Sequence, residues 1–192
     1  MPQLADDLVR ELHRVTQAPI VLFGHSLGAY LALDCAHLLE AAGSSVPLLC
    51  VAAARAPDDL ANRHRVRDSS DEEFTELLRS FGATPAELLD HPEIMKLLLP
   101  VLRADFLLAE EYVPVAGLRL AAAVTAFSGR HDPLAPPESM HGWGHYGKGD
   151  LELHALDAGH FFVSDVEPVA GLVLGQMRSL GLVGPERDAV MR

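Results

Sequence analysis

The feature that most constrains this chain is a junction. The wholly apolar run Ile20-Val21-Leu22-Phe23 passes directly into Gly24-His25-Ser26-Leu27-Gly28, and a helical stretch, Ala29 to Glu40, follows at once. A short run with no polar alternation fits a strand buried on both faces, as in a parallel sheet covered by helices. Gly43 closes the helix, and Leu48-Leu49-Cys50-Val51-Ala52 reads as a second buried strand. Parallel neighbours need crossover helices, so the junction commits the chain to an α/β architecture.

The rest of the chain agrees. Residues 3–17 carry Leu4, Leu8, Leu12 and Val15 at helical spacing, ended by Pro19. Val124-Thr125-Ala126-Phe127 and Leu151-Glu152-Leu153-His154-Ala155-Leu156 read as further strands, and Glu167 to Leu180 as a closing helix. Between Arg55 and Pro114 the alternation stops. Ser69-Ser70-Asp71-Glu72 has capping-box spacing and opens a helix ended by Gly82. Thr84-Pro85-Ala86-Glu87 repeats the signal, and a third helical segment from Asp90 to about Tyr112 should be kinked or split at Pro100. The expected organisation is a single domain over 1–192, with a core of 1–54 and 115–183 and a helical lid insertion over about 55–114.

Composition narrows the function classes. A net charge of −12 disfavours a general nucleic-acid binder and electrostatic attachment to an anionic membrane. Asp6 and Asp7 stand where a signal peptide needs positive charge, and Cys35 and Cys50 are too few for a disulfide framework. A reduced, cytoplasmic, soluble protein is the expectation.

Gly24-x-Ser26-x-Gly28 on a strand-to-helix turn is the arrangement that exposes a nucleophilic serine in a strained backbone, with small residues expected two before and two after it. The helix start aims N–H groups and a positive dipole end at the reacting oxygen, so Leu27 N–H is a candidate oxyanion donor. A serine hydroxyl also needs a base and an orienting acid. Asp132 lies just past the strand at 124–127 and His160 just past that at 151–156, so all three emerge on one sheet edge in the order serine, acid, histidine. Asp157 is a rival acid. His25 is expected to pack or hydrogen-bond rather than act as base, and His131 to be a loop residue. His141 and His145 are read as a surface loop with no metal, and Cys35 as structural.

The chain resembles the type II thioesterases, α/β-hydrolases that edit polyketide and nonribosomal peptide assembly lines. The resemblance is carried by Phe23-Gly24-His25-Ser26-Leu27-Gly28-Ala29, Leu98-Leu99-Pro100-Val101-Leu102-Arg103-Ala104-Asp105-Phe106, the loop from Gly129 to Leu134, and Gly159-His160-Phe161-Phe162. It implies an α/β-hydrolase fold and hydrolysis of acyl thioesters on the phosphopantetheine arm of a carrier protein. Ser26 would be nucleophile, His160 base and Asp132 orienting acid, with no metal or organic cofactor. The lid face (Ile94, Leu97, Leu98, Leu102, Phe106 and Leu107) would partly line an acyl channel, with Leu98, Leu102 and Phe106 its candidate residues. The basic run of Arg55, Arg63, Arg65 and Arg67 with His64 reads either as a solvated loop or, because a net charge of −12 would otherwise repel an acidic carrier protein, as a docking patch for one, centred on Arg63, Arg65 and Arg67.

In one respect the sequence departs from the family, whose members place several strands and a Gly-rich oxyanion loop before the helix that opens this chain. The expectation is therefore an N-terminally truncated hydrolase (a fragment, a mis-started reading frame or a natural truncation), with the strand at 20–23 on an exposed edge and activity weakened. Two other functions fit the same residues: a small-ester hydrolase with this triad, and a non-catalytic remnant that binds carrier protein.

Overall fold

The computed structural model describes residues 1–59, 65–82 and 89–184. Its chain divides into two compact units, Met1–Phe162 and Val163–Arg192. The second unit contains helix Val166–Ser179, matching the expected closing helix to within a residue at each end. The first unit carries the sheet and every candidate site residue that is described.

Four strands form that sheet in the order β1-β2-β3-β4: Val21–His25, Leu48–Ala52, Ala123–Gly129 and Glu152–Leu156. All three pairings are parallel, and registers such as Gly24 opposite Val51 and Val51 opposite Ala126 bring the strands' C-terminal ends together. The mixed α/β architecture expected from the junction is therefore present. Interior β2 is buried at all five positions. Edge strand β1 is less covered, and Phe23 is 43% exposed.

Helix α1 spans Pro2–Val15 and α2 spans Leu27–Ala41. The buried stripe of α1 is not the one its leucines suggest. Ala5 and Val9 are buried with Leu12 packed beside them, whereas Leu4, Leu8 and Val15 are exposed. The two stripes lie one residue apart, and smaller side chains let α1 approach α2 closely. Ala29, Ala32, Leu33 and Ala36 of α2 likewise set it against the sheet. No helix among the described residues is long and apolar enough to cross a membrane.

Between β2 and β3 lie α3 (Asp71–Ser80) and α4 (Pro92–Glu110), with an apolar cluster of their own formed by Val66, Phe74, Leu78, Phe81, Leu89 and Met95. The capping box of α3 falls one residue later than expected. Ser70 Oγ accepts from Glu73 N–H and the Glu73 carboxylate accepts from Ser70 N–H, while Ser69 Oγ donates to Val66 O. Pro100 lies inside a continuous α4 instead of dividing it. The carbonyl it deprives of a partner is that of exposed Lys96, which water can satisfy. The repeated helix signal at Thr84–Glu87 lies outside the described residues.

Arg103 ties this segment together. From α4 its guanidinium donates to Val66 O, Ser69 O, Ser69 Oγ, Ser70 O and Asp71 Oδ1 at 2.7–3.2 Å, and it lies over the Phe74 ring. Just beyond α4, Tyr112 Oη donates to Asp34 Oδ1 of α2 at 2.7 Å.

Candidate active site

Ser26 is the single residue between β1 and α2, held at φ 55°, ψ −124°. A non-glycine residue at positive φ is strained by about 1–3 kcal/mol and persists only where its surroundings over-determine it. Gly24 supplies part of that determination. A Cβ there would stand 2.2 Å from Gly28 O, 2.5 Å from Gly28 C and 2.7 Å from Ala29 Cα, all backbone atoms. Gly28 is different, because a Cβ on it would meet nothing within 4 Å. The expectation that both flanking residues must be small thus holds for Gly24 alone. The clash lies between the strand and the helix's first turn, and the space outside Gly28 is open.

The turn after β3 carries Asp132, and the turn after β4 carries His160. Gly129 lets the two turns meet, since a Cβ there would lie 2.4 Å from both Ala158 O and Gly159 O. Sequence reasoning missed this requirement, because nothing local marks a glycine whose neighbours arrive from another loop. His160 Nδ1 lies 2.8 Å from Asp132 Oδ2, and its Nε2 lies 3.2 Å from Ser26 Oγ. A carboxylate only accepts, so Nδ1 carries the proton and Nε2 is free to accept from the serine hydroxyl. Asp132 and His160 are 2% and 3% exposed, and Asp132 Oδ1 also accepts Leu134 N–H at 2.8 Å.

His25 Nε2 donates to His160 O at 2.8 Å, and its ring packs near His160, Phe161 and Phe162. Burial lowers the His25 pKa from its ordinary 6.5, against the opposing effect of that hydrogen bond. The bond also fixes the backbone that carries His160. Asp157 is turned outward and pairs with exposed His131 at 2.8 Å. Leu27 N–H opens α2, so no intrahelical carbonyl is available to it, and Leu27 lines the cavity beside Ser26.

That cavity has a volume of about 250 Å³ and reaches Ser26 and His160. Helix α4 forms one wall through Leu102, Asp105, Phe106, Ala109 and Glu110, residues spaced along one helical face. Of the three candidate channel residues, Leu102 and Phe106 line this cavity. Leu98 is not among the lining residues and is 37% exposed, and Leu97 is 78% exposed. In this upstream part of α4 Met95 is buried in the apolar cluster, while Leu97 and Leu98 are left exposed. Tyr30, Ala53, Ala54 and Arg55 also line the cavity.

Of the described members of the basic run, Arg55 lines the cavity and pairs with Asp59, Arg65 is exposed and Arg67 pairs with Glu111; Arg63 and His64 lie outside the described residues. His141 and His145 sit on a 3-10 helix, Pro137–Tyr146, where a plain loop was expected, and His145 bonds Asp58. Buried Trp143 and Met140 hold that segment down. Cys35 and Cys50 are buried free thiols, pushed up to about 11 and about 12 by burial.

Against known proteins, residues 1–176 match the thioesterase domain model. The probable cadicidin biosynthesis thioesterase of Streptomyces griseus is 32% identical over 161 residues, which are 84% of this chain and 44% of that protein. Thioesterase PikA5 of Streptomyces venezuelae is 35% identical over 147 residues, 76% of this chain and 52% of that one. The chain thus spans about half the length of these relatives. Among solved structures, the type II thioesterase BorB from the borrelidin biosynthetic cluster superposes with a TM-score of 0.76 at 30% identity, covering 91% of this chain and 71% of that one.

Proposed function

The chain belongs to the thioesterase-domain family, and on that premise we propose that it hydrolyses acyl thioesters through a Ser26 acyl-enzyme. The observation that carries this reading is the contact chain from Ser26 Oγ through His160 to Asp132, at 3.2 and 2.8 Å. It ends on a buried carboxylate and opens on a mostly apolar cavity.

His160 Nε2 takes the Ser26 proton as Oγ attacks the thioester carbonyl carbon. Negative charge then develops on the carbonyl oxygen, where Leu27 N–H and the positive end of α2 stabilise it. Collapse breaks the C–S bond, and His160 returns the proton to the departing thiolate. Water attacks the resulting ester with His160 again as base, releasing the carboxylic acid and regenerating Ser26. Asp132 keeps the Nδ1 proton in place throughout and stabilises the imidazolium.

The substrates proposed are acyl groups on the phosphopantetheine arm of a carrier protein in polyketide or nonribosomal peptide synthesis, removed as an editing step. The acyl chain lies along Leu102 and Phe106, and the acidic carrier docks at Arg65 and Arg67. Similarity to thioesterases of biosynthetic clusters, such as those of cadicidin and borrelidin, supports the thioester part of this reading. The test is release of free acid from acyl-N-acetylcysteamine and from acyl carrier protein. Ser26→Ala should reduce kcat by several orders of magnitude. Equal rates for the variant and the wild type would refute Ser26 as nucleophile.

A further inference from the structure

Among the described residues three rings pack around the His160 imidazole. Between ring centres Phe161 lies 4.8 Å away, His25 5.1 Å and Phe81 5.9 Å. His25 adjoins Ser26 and Phe161 follows His160, but Phe81 arrives from the segment between β2 and β3. The end of α3 sets it there. Phe81 is the C-cap residue, and Gly82 turns the chain at φ 66°, a conformation that favours glycine, while Phe81 itself stays buried.

The Phe81 ring also stacks on Phe106, 5.5 Å away and within 6° of parallel, and Phe106 meets Phe74 edge-on at 5.3 Å. Phe106 lines the cavity; Phe81 does not. Phe81 therefore touches the base without forming part of the surface offered to a substrate. The base depends on how its ring is held. A half-turn of the imidazole exchanges Nδ1 with Cδ2 and Nε2 with Cε1, which breaks the contacts with Asp132 and Ser26 together. When Oγ carries the acyl group it has no proton to give His160, so one of the two bonds that orient the ring is gone. Ring packing must then keep Nε2 facing the attacking water, and it keeps other water from the Nδ1–H.

We propose that Phe81 is a positioning residue that holds the His160 imidazole in the plane joining Asp132 to Ser26 and shields it from water. The proposal rests on the thioesterase function above. It adds that the segment between β2 and β3, through one aromatic ring, acts on the chemical step as well as on binding.

The test compares the full chain with Phe81→Leu and Phe81→Met, which keep apolar bulk but lose the flat ring; the flexible Met side chain guards against a packing void. Phe74→Leu is the control, because Phe74 also contacts Phe106 and lies in the same apolar cluster but makes no ring contact with His160. On octanoyl-N-acetylcysteamine both Phe81 variants should lose about 10- to 100-fold in kcat, as for a base misplaced by about 1 Å, while Phe74→Leu stays within about threefold of wild type. The Ki of S-octyl-N-acetylcysteamine, a thioether that Ser26 cannot cleave, should change less than about threefold in the Phe81 variants, since Phe81 does not line the cavity. A second reading needs no turnover. The downfield proton resonance of the His160 Nδ1–H, identified by its absence in His160→Gln, should broaden or vanish in Phe81→Leu and persist in Phe74→Leu. Equal kcat losses for Phe81→Leu and Phe74→Leu, no loss at Phe81, a loss matched by an equal rise in Ki, or an unchanged resonance in Phe81→Leu each overturns the proposal. If the wild type hydrolyses no thioester faster than Ser26→Ala, the thioesterase function itself fails, a result separate from the resonance, which reads the hold on His160 directly.

Discussion

Adding one methyl group at Gly24 and the same group at Gly28 should move stability in opposite directions. At Gly24 the new Cβ would lie 2.2–2.7 Å from three backbone atoms of Gly28 and Ala29. No side-chain rotation relieves a clash with backbone, so either β1 or the first turn of α2 must shift. Overpacking of this kind costs about 1–3 kcal/mol. For a chain of this size each kcal/mol lowers Tm by about 2–4 °C, so Gly24→Ala should melt roughly 2–12 °C below wild type. At Gly28 the Cβ enters open space within a helix, where Ala is favoured over Gly by about 0.5–1 kcal/mol. Gly28→Ala should therefore melt about 1–4 °C higher. Gly24→Ala should also lose activity, because displacing Ser26 by about 1 Å can cost on the order of 10²-fold. Thermal melts by circular dichroism and thioester turnover read both effects. A Gly24→Ala variant as stable as wild type, or a Gly28→Ala variant destabilised to the same degree, would refute the assignment of the steric constraint to Gly24.

Three further outcomes follow from the site and its supports. Asp132→Asn should reduce kcat by on the order of 10⁴, because the amide no longer holds the Nδ1 proton, while Asp157→Asn should change it less than about twofold; the reverse result would exchange their roles. Arg103→Ala removes four hydrogen bonds to the segment before α3 and one to Asp71 at its start, and should lower stability by roughly 2–3 kcal/mol, measured by urea titration, with Arg103→Lys recovering part of it. His25 is held neutral by burial below its ordinary 6.5, so the unfolded chain binds the extra proton first as pH falls. Its contribution is therefore complete above about pH 6.5 and lost below, and His25→Gln should flatten the fall in Tm between pH 7 and 5. A slope identical to wild type would contradict that.

Much of this fold was legible in the sequence because it is encoded locally. The apolar runs at 20–23 and 48–52, the turn at Ser26 and the helix after it depend on residues within one or two turns of one another, and they appear where the pattern put them. The chain order of Ser26, Asp132 and His160, each just after a strand, likewise points to one sheet edge from the sequence alone. The errors have a common cause. Which stripe of α1 is buried, that Leu98 falls outside the cavity, and that Arg55 leaves the basic run for the cavity wall all depend on what packs against them from distant segments.

The sequence by itself determined the strand-helix alternation, the strained serine turn and the candidate acid and base. Periodicity and turn chemistry act over a few residues, so a single stretch of chain contains all that is needed to read them. The tertiary structure alone set Asp132 and not Asp157 against His160, required glycine at 24 and 129 but not at 28, and brought Arg55 into the lining of the cavity that reaches Ser26. Each of those outcomes turns on a distance between segments far apart in the chain. Such distances are fixed by sheet register and by the packing of α4 against α2, and neither is written in any local stretch.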